Sequence, residues 1–269
     1  MDFTLTTYRQ LLTTLRESGY TFQPFRDYLQ HPAQKTVILR HDVDKLPENA
    51  LKMAQLEHSL GLQSTYFFRT VNKVWDEQII RQIAEMGHEI GYHYENLSTT
   101  KGNYEKAIAD FEEQLKRLRK LCPVETISMH GSPLSKWDSK MLWENRQGTG
   151  QEYNYRTYGI LGEPYFDIDY NEVFYLTDTG RRWNNAGASV RDKVASGFDI
   201  SVKSTFHIMD LARENRLPEK IMLNTHPQRW FDPGPGWLKE LIMQNVKNVV
   251  KYAVVKIQNS RKRKIQERL

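Results

Sequence analysis

The side chains able to do chemistry in this chain sit where apolar runs stop. Val37-Ile-Leu-Arg-His-Asp-Val-Asp44 reads as a β-type run ending in His41, Asp42 and Asp44. Two carboxylates held together at a strand end repel one another and are costly to desolvate unless a cation or a proton compensates. The construction recurs downstream: His93 closes His88-Glu-Ile-Gly-Tyr-His93, His130 closes Thr126-Ile-Ser-Met-His130, and His226 closes Ile221-Met-Leu-Asn-Thr-His226. Four apolar runs ending in Asp or His predict one shared site, with a metal or a catalytic proton at its centre.

Something must bring those ends together, and the pattern of elements supplies it. Apolar periodicity and end signals predict helices over 5–17, 47–60, 76–86 and 103–121, with Pro47 opening the second and Gly61 and Gly87 closing the second and third. Strands are predicted over 36–39, 64–68, 88–92, 126–129, 173–176 and 221–224, with a weaker candidate at 165–168. Repeated β-then-α units imply parallel strands joined by crossover helices, whose C-terminal ends face one mouth. Residues 145–197 are rich in Gly, Asn, Tyr and Trp and are expected to form long loops over that mouth. With no linker and no internal repeat, residues 1–235 are expected to form a single domain, followed over 236–269 by a helix with a basic tail.

Composition narrows the function classes. A chain of 269 residues with 39% hydrophobic and 26% charged side chains can bury a sizeable core, which excludes extensive disorder. The formal charge of +5 comes mostly from Arg261-Lys-Arg-Lys264; the remaining body is nearly neutral, which argues against a broad nucleic-acid-binding face. That cluster follows apolar residues at helical spacing, so peripheral membrane contact through the basic tail is one expectation and a solvated helix tip the other. The single cysteine, Cys122, excludes an internal disulfide framework. Met1-Asp2-Phe3-Thr4 leads directly into a helical pattern and no apolar run is long enough to span a bilayer, so the expected location is cytoplasmic.

The order of these motifs, together with the His130-Gly-Ser-Pro133 loop and Leu223-Asn-Thr-His226, resembles the polysaccharide deacetylase, or NodB-homology, family over most of residues 36–230. Gly87-His-Glu-Ile-Gly-Tyr-His93 is the most specific part of the match. The resemblance implies a distorted, TIM-like (β/α) barrel of mostly parallel strands and removal of acetyl groups from amino sugars with a divalent metal. By resemblance Asp42 is the base, Asp44 and His93 are metal ligands, and His226 is the acid. The chain departs clearly from the family at the second motif: where it should carry another histidine, His93-Tyr-Glu-Asn-Leu97 ends in Leu97. His130, which closes the next strand, is the candidate replacement, and Glu95 stands behind it. An Asp, His, His set suits zinc, with Co, Ni or Mn as alternatives. The family's third motif also carries an Arg that His130-Gly-Ser-Pro133 lacks.

Around this set, Tyr92, Trp137 and Trp183 offer flat apolar faces for sugar rings, and Asp178 and Arg181 a polar clamp at the mouth. The expected activity is a metal-dependent deacetylase acting on an N-acetylated sugar or sugar conjugate, a precursor in surface-polysaccharide synthesis, without nucleic acid. Two alternatives are a non-catalytic sugar-binding barrel protein and a related hydrolase of another amide or ester.

Overall fold

Strand β2 (Thr36–Val43) is buried at every position and carries the sheet on both edges. The computed structural model describes residues 1–132, 135–144, 153–183, 194 and 196–248. In chain order the elements are α1 (Leu5–Glu17), β1 (Thr21–Gln23), α2 (Phe25–Gln30), β2, α3 (Pro47–Ser59), β3 (Thr65–Phe68), α4 (Glu77–Glu85), β4 (Glu89–Tyr94), α5 (Asn96–Thr99), α6 (Tyr104–Arg119), β5 (Ile127–Met129), α7 (Pro164–Asp167), β6 (Phe174–Thr177), α8 (Thr205–Arg213) and β7 (Lys220–Thr225). The strands lie side by side as β5-β4-β3-β2-β7-β6, with β1 added to β2. Every pairing among them is parallel. The sheet curls into an open half-barrel with helices outside, a distorted (β/α) barrel as expected.

Local chemistry explains the element ends. Thr4, Asp76 and Asn103 cap α1, α4 and α6 by accepting backbone N–H groups of the first turn. Gly61 and Gly87 take positive φ just past the ends of α3 and α4, where a side chain would be strained. Strands β2 and β4 run further than the apolar runs alone imply, to Val43 and Tyr94, so Asp42 and His93 lie within strands. Residues 165–168 are not a strand: Pro164 occupies the first helical turn and the Glu163 carboxylate accepts the Tyr165 N–H, which makes this segment the short helix α7. The elements β1, α2, α5 and α8 went unpredicted, the first three being only three, six and four residues long.

Helices outside and strands inside enclose a core split between the β3–β4–β5 side and the β2–β6–β7 side. A last helix is described over 235–248, opened by Pro235. The basic run 261–264, and much of the expected loop region 145–197, lie outside the described residues. Among the described residues no helix is long and apolar enough to cross a membrane.

Candidate functional site

Alternation along β2 sends Arg40 and Asp42 to the barrel interior, where Arg40 is wholly buried. The Arg40 guanidinium grips Asp42 with both arms, Nε to Oδ1 at 2.9 Å and Nη2 to Oδ2 at 2.8 Å, and also donates to Ser128 Oγ of β5. Asn224 Nδ2 of β7 donates to Asp42 Oδ2 at 3.1 Å. Burial pushes the Asp42 carboxyl up, but Arg40, followed by His93 and His226, outweighs it and brings the group down to about 2. Asp42 is therefore an ionised carboxylate fixed in place by two neighbouring strands.

Past the strand end, Asp44 meets three imidazoles, one within β4 and two just past the ends of β5 and β7. His130 Nε2 lies 3.3 Å and His93 Nε2 3.5 Å from Asp44 Oδ1, while His226 Nε2 is 4.0 Å from Oδ2. The other ring nitrogens decide what these contacts are. His93 Nδ1 is 2.9 Å from the Ser128 carbonyl oxygen, which only accepts, so Nδ1 carries the hydrogen. His130 Nδ1 faces the Glu95 carboxylate at 3.1 Å, and Glu95 is in turn paired with Arg69. Burial raises the Glu95 carboxyl, but His130 and Arg69 outweigh it and hold it at about 2, so His130 Nδ1 is a donor as well. In the neutral rings both Nε2 atoms then present bare lone pairs to a carboxylate oxygen, and that oxygen is buried without a hydrogen-bond partner.

Three acceptors converging on one point need a cation or protons between them. Donor atoms about 2.0–2.2 Å from a tetrahedral zinc are separated by roughly 3.3–3.6 Å, so the two Asp44–imidazole distances match the edges of such a site. The donor chemistry fits a divalent ion. As they stand, however, no three His, Cys, Asp or Glu side chains among the described residues are closed around a point in the manner of a formed metal site.

On the far side of the mouth, His226 Nδ1 donates to Asp178 Oδ1 at 2.7 Å. Asp178 also accepts from Arg229 Nη1 at 2.6 Å, the Trp230 indole N–H at 2.8 Å and the His226 backbone N–H at 3.0 Å. Burial pushes Asp178 up; Arg229 and then His226 more than compensate and hold it below the usual carboxylate range. The network orients the ring so that Nε2 faces Asp44.

The structure thus brings Asp42, Asp44, His93, His130 and His226 to one mouth. The expected Asp178–Arg181 clamp does not form between side chains: Asp178 turns inward to His226 and Arg229, while the Arg181 guanidinium lies over the rings of Phe3 and Trp237. Trp183 is buried against Phe3 and Trp230 with its indole N–H on Thr205 Oγ1, and Tyr92 is buried against Phe111 with its hydroxyl on Asn96. Both are packing residues. Trp137 is half-buried against Gly102. Leu97, at the position of the missing histidine, is wholly buried in the core.

Arg40, Asn224, Arg229 and Gln228, which donates to Asp44 Oδ2 at 3.2 Å, are site residues the sequence reading passed over. Arg40 and Asn224 were discoverable from strand alternation, because each lies two residues from Asp42 or His226 on the same strand face. Arg229 and Gln228 carry no such signal.

The family model for polysaccharide deacetylase matches residues 30–152, a span that contains Asp42, Asp44, His93 and His130 but neither Asp178 nor His226. No curated protein matches the chain. Among solved structures, similar ones are a CE4 esterase of Streptococcus mutans (14% identity, 90% of both chains, TM-score 0.43) and a family 4 carbohydrate esterase from Bacillus anthracis (12% identity, 90% of this chain and 87% of that one, TM-score 0.40). A peptidoglycan deacetylase from Bacillus subtilis is similar over 82% of this chain and 97% of its own, at 12% identity and TM-score 0.38.

Proposed function

We propose that this chain, a divergent member of the polysaccharide deacetylase family, is a metal-dependent hydrolase that removes the acetyl group from an N-acetylated sugar. One observation carries the reading: Asp44 Oδ1 is buried without a hydrogen-bond partner and faces two imidazole nitrogens whose hydrogens are committed elsewhere. Asp44, His93 and His130 would hold the ion. When bound, a divalent cation there supplies Lewis-acid polarisation of the acetamido carbonyl and lowers the pKa of nearby water.

The chain's own residues would do the rest. Asp42, ionised and clamped by Arg40, accepts a proton from the attacking water at a carboxylate oxygen. His226 delivers a proton from Nε2 to the departing amine nitrogen, and the Asp178 carboxylate stabilises its imidazolium form and fixes the ring. The amide C–N bond breaks, leaving acetate and the free amino sugar. Arg40, on the same strand β2, supplies the cation beside Asp42.

The substrate we favour is a sugar precursor of surface-polysaccharide synthesis. The test is acetate release from N-acetylated sugars and sugar conjugates by untagged protein before and after chelation. Acetate formed only by the metal-loaded protein bears the reading out. A metal-loaded protein that releases none from any acetamido sugar, but binds such sugars, moves the sugar-binding alternative ahead.

A further inference from the structure

Behind Asp42, on the outer face of β2, lies a buried polar cluster that the chemistry above does not use. Alternation along the strand turns His41 away from Arg40 and Asp42 and toward Tyr8 of α1 and Glu57 of α3. The Glu57 carboxylate accepts the hydroxyls of Tyr8 at 2.6 Å, Ser64 at 2.6 Å and Tyr66 at 3.0 Å. His41 Nε2 lies 3.0 Å from Glu57 Oε1, off the line of its N–H, and His88 Nδ1 lies 3.6 Å from Oε2. Burial pushes the Glu57 carboxyl up, but His41 foremost, then His88 and the Ser64 hydroxyl, outweigh it and bring the group down to about 2. Glu57 is thus a carboxylate held ionised in the core.

What this carboxylate braces is His41, and what His41 holds is β7. The imidazole is stacked on the Tyr66 ring, 4.2 Å between centroids, and its Nδ1 is hydrogen-bonded to Thr225 Oγ1 at 2.6 Å. His41 and Thr225 face one another across the sheet as the last pair of the β2–β7 ladder. Asp42 follows His41 and His226 follows Thr225, so this tie sits immediately behind both residues assigned to proton transfer. Hydroxyl, imidazole and carboxylate in this order are the parts that activate a nucleophile elsewhere. Here Thr225, His41 and Glu57 have no exposed surface, so no substrate reaches the hydroxyl and the tie acts on position alone.

We propose that His41, braced by Glu57 and bonded to Thr225, is a positioning residue that sets the spacing of Asp42 and His226 where β2 and β7 end. The roles of Asp42 and His226 rest on the deacetylase reading; the tie between their strands does not. On the inner face Asn224 fixes the Asp42 carboxylate and Asp178 the His226 ring. The His41–Thr225 bond fixes the two backbones that carry them, and a reacting group misplaced by about 1 Å costs on the order of a hundredfold in rate.

Thr225→Val, which keeps the branched shape without the hydroxyl, and Thr225→Ser, which keeps the hydroxyl, test this in the zinc-loaded full chain. Thr225→Val should lower kcat for acetate release from an N-acetylated sugar by about 10–100-fold with KM and zinc content unchanged, and Thr225→Ser should recover most of that loss. Backbone amides around Asp42 and His226 should also exchange hydrogen at least about tenfold faster in Thr225→Val, with β3 and β4 as protected as in wild type. A kcat in Thr225→Val equal to that of wild type overturns the proposal, as does an equal loss in Thr225→Ser or a loss explained by missing zinc. If the wild type releases no acetate from any acetamido sugar, the deacetylase reading fails, and the exchange rates decide the tie alone: faster exchange confined to the two strand ends bears it out, and unchanged exchange overturns it.

Discussion

His130 Nε2 stands 3.3 Å from Asp44 Oδ1, although neither residue has a hydrogen to put between them when the imidazole is neutral. The two come from different strands, β5 and β2, which end at the same mouth because every strand runs the same way. A histidine one strand over therefore reaches Asp44, whereas Leu97, four residues along from His93, is buried in the core. Glu95 supports this arrangement by fixing His130 Nδ1, as the Ser128 carbonyl fixes His93.

This geometry predicts that Leu97→His cannot rescue the site. Leu97 is wholly buried among apolar neighbours, so an imidazole there is an unpaired polar group in the core. Leu97→His should lower unfolding free energy by roughly 1–3 kcal/mol in urea titration, and the His130→Ala/Leu97→His double variant should remain as metal-poor as His130→Ala. Restored metal content in the double variant would contradict the assignment of His130.

Asp42 and Arg40 are expected to behave as one unit. Asp42→Asn should keep fold and metal while acetate release falls by about two to four orders of magnitude. Arg40→Met should unfold more easily by about 3–5 kcal/mol, since it strands a buried carboxylate, and adding Asp42→Asn should recover much of that loss. Additive losses in the double-mutant cycle would show that the pair is not coupled.

Glu163 gives a pH signature. Burial, only partly offset by the Met129 and Tyr165 N–H groups and Arg40, raises its carboxyl from 4.5 to about 7. A raised carboxyl favours the folded state below the unfolded-state value, and that advantage is lost as pH rises through the folded one. Stability should therefore decline between about pH 4.5 and 7, by at most roughly 3 kcal/mol from this group. Glu163→Gln should flatten that slope in denaturant titrations at successive pH values; an unchanged slope would locate its source elsewhere.

Trp183 was expected to face a sugar, yet it packs between Phe3 and Trp230. Trp183→Ala should cost about 3–5 kcal/mol of stability with KM unchanged in the surviving folded protein. A raised KM at unchanged stability would return it to the substrate surface.

These residues also show what is legible in one sequence. The parallel direction of the strands and the helices α1, α3, α4 and α6 follow from periodicity and end residues, and the Asp and His clustering follows from where apolar runs stop. Arg40 was hidden because a charged residue inside an apolar strand looks like an interruption until its carboxylate partner two positions on is seen to share its face. The roles of Asp178 and Trp183 were missed for a different reason. A loop's aromatic and charged residues read as surface, whereas their partners Arg229, Trp230 and Thr205 lie far along the chain.

The central claim is that Asp44, His93 and His130 form one cation site, and metal analysis of untagged protein tests it directly. Wild type incubated with zinc and desalted should retain one ion per chain, while His130→Ala and His93→Ala should each lose affinity by about 10–100-fold or more and retain little. A His130→Ala protein as fully loaded as wild type, beside an empty His93→Ala, would remove His130 from the site and contradict the account.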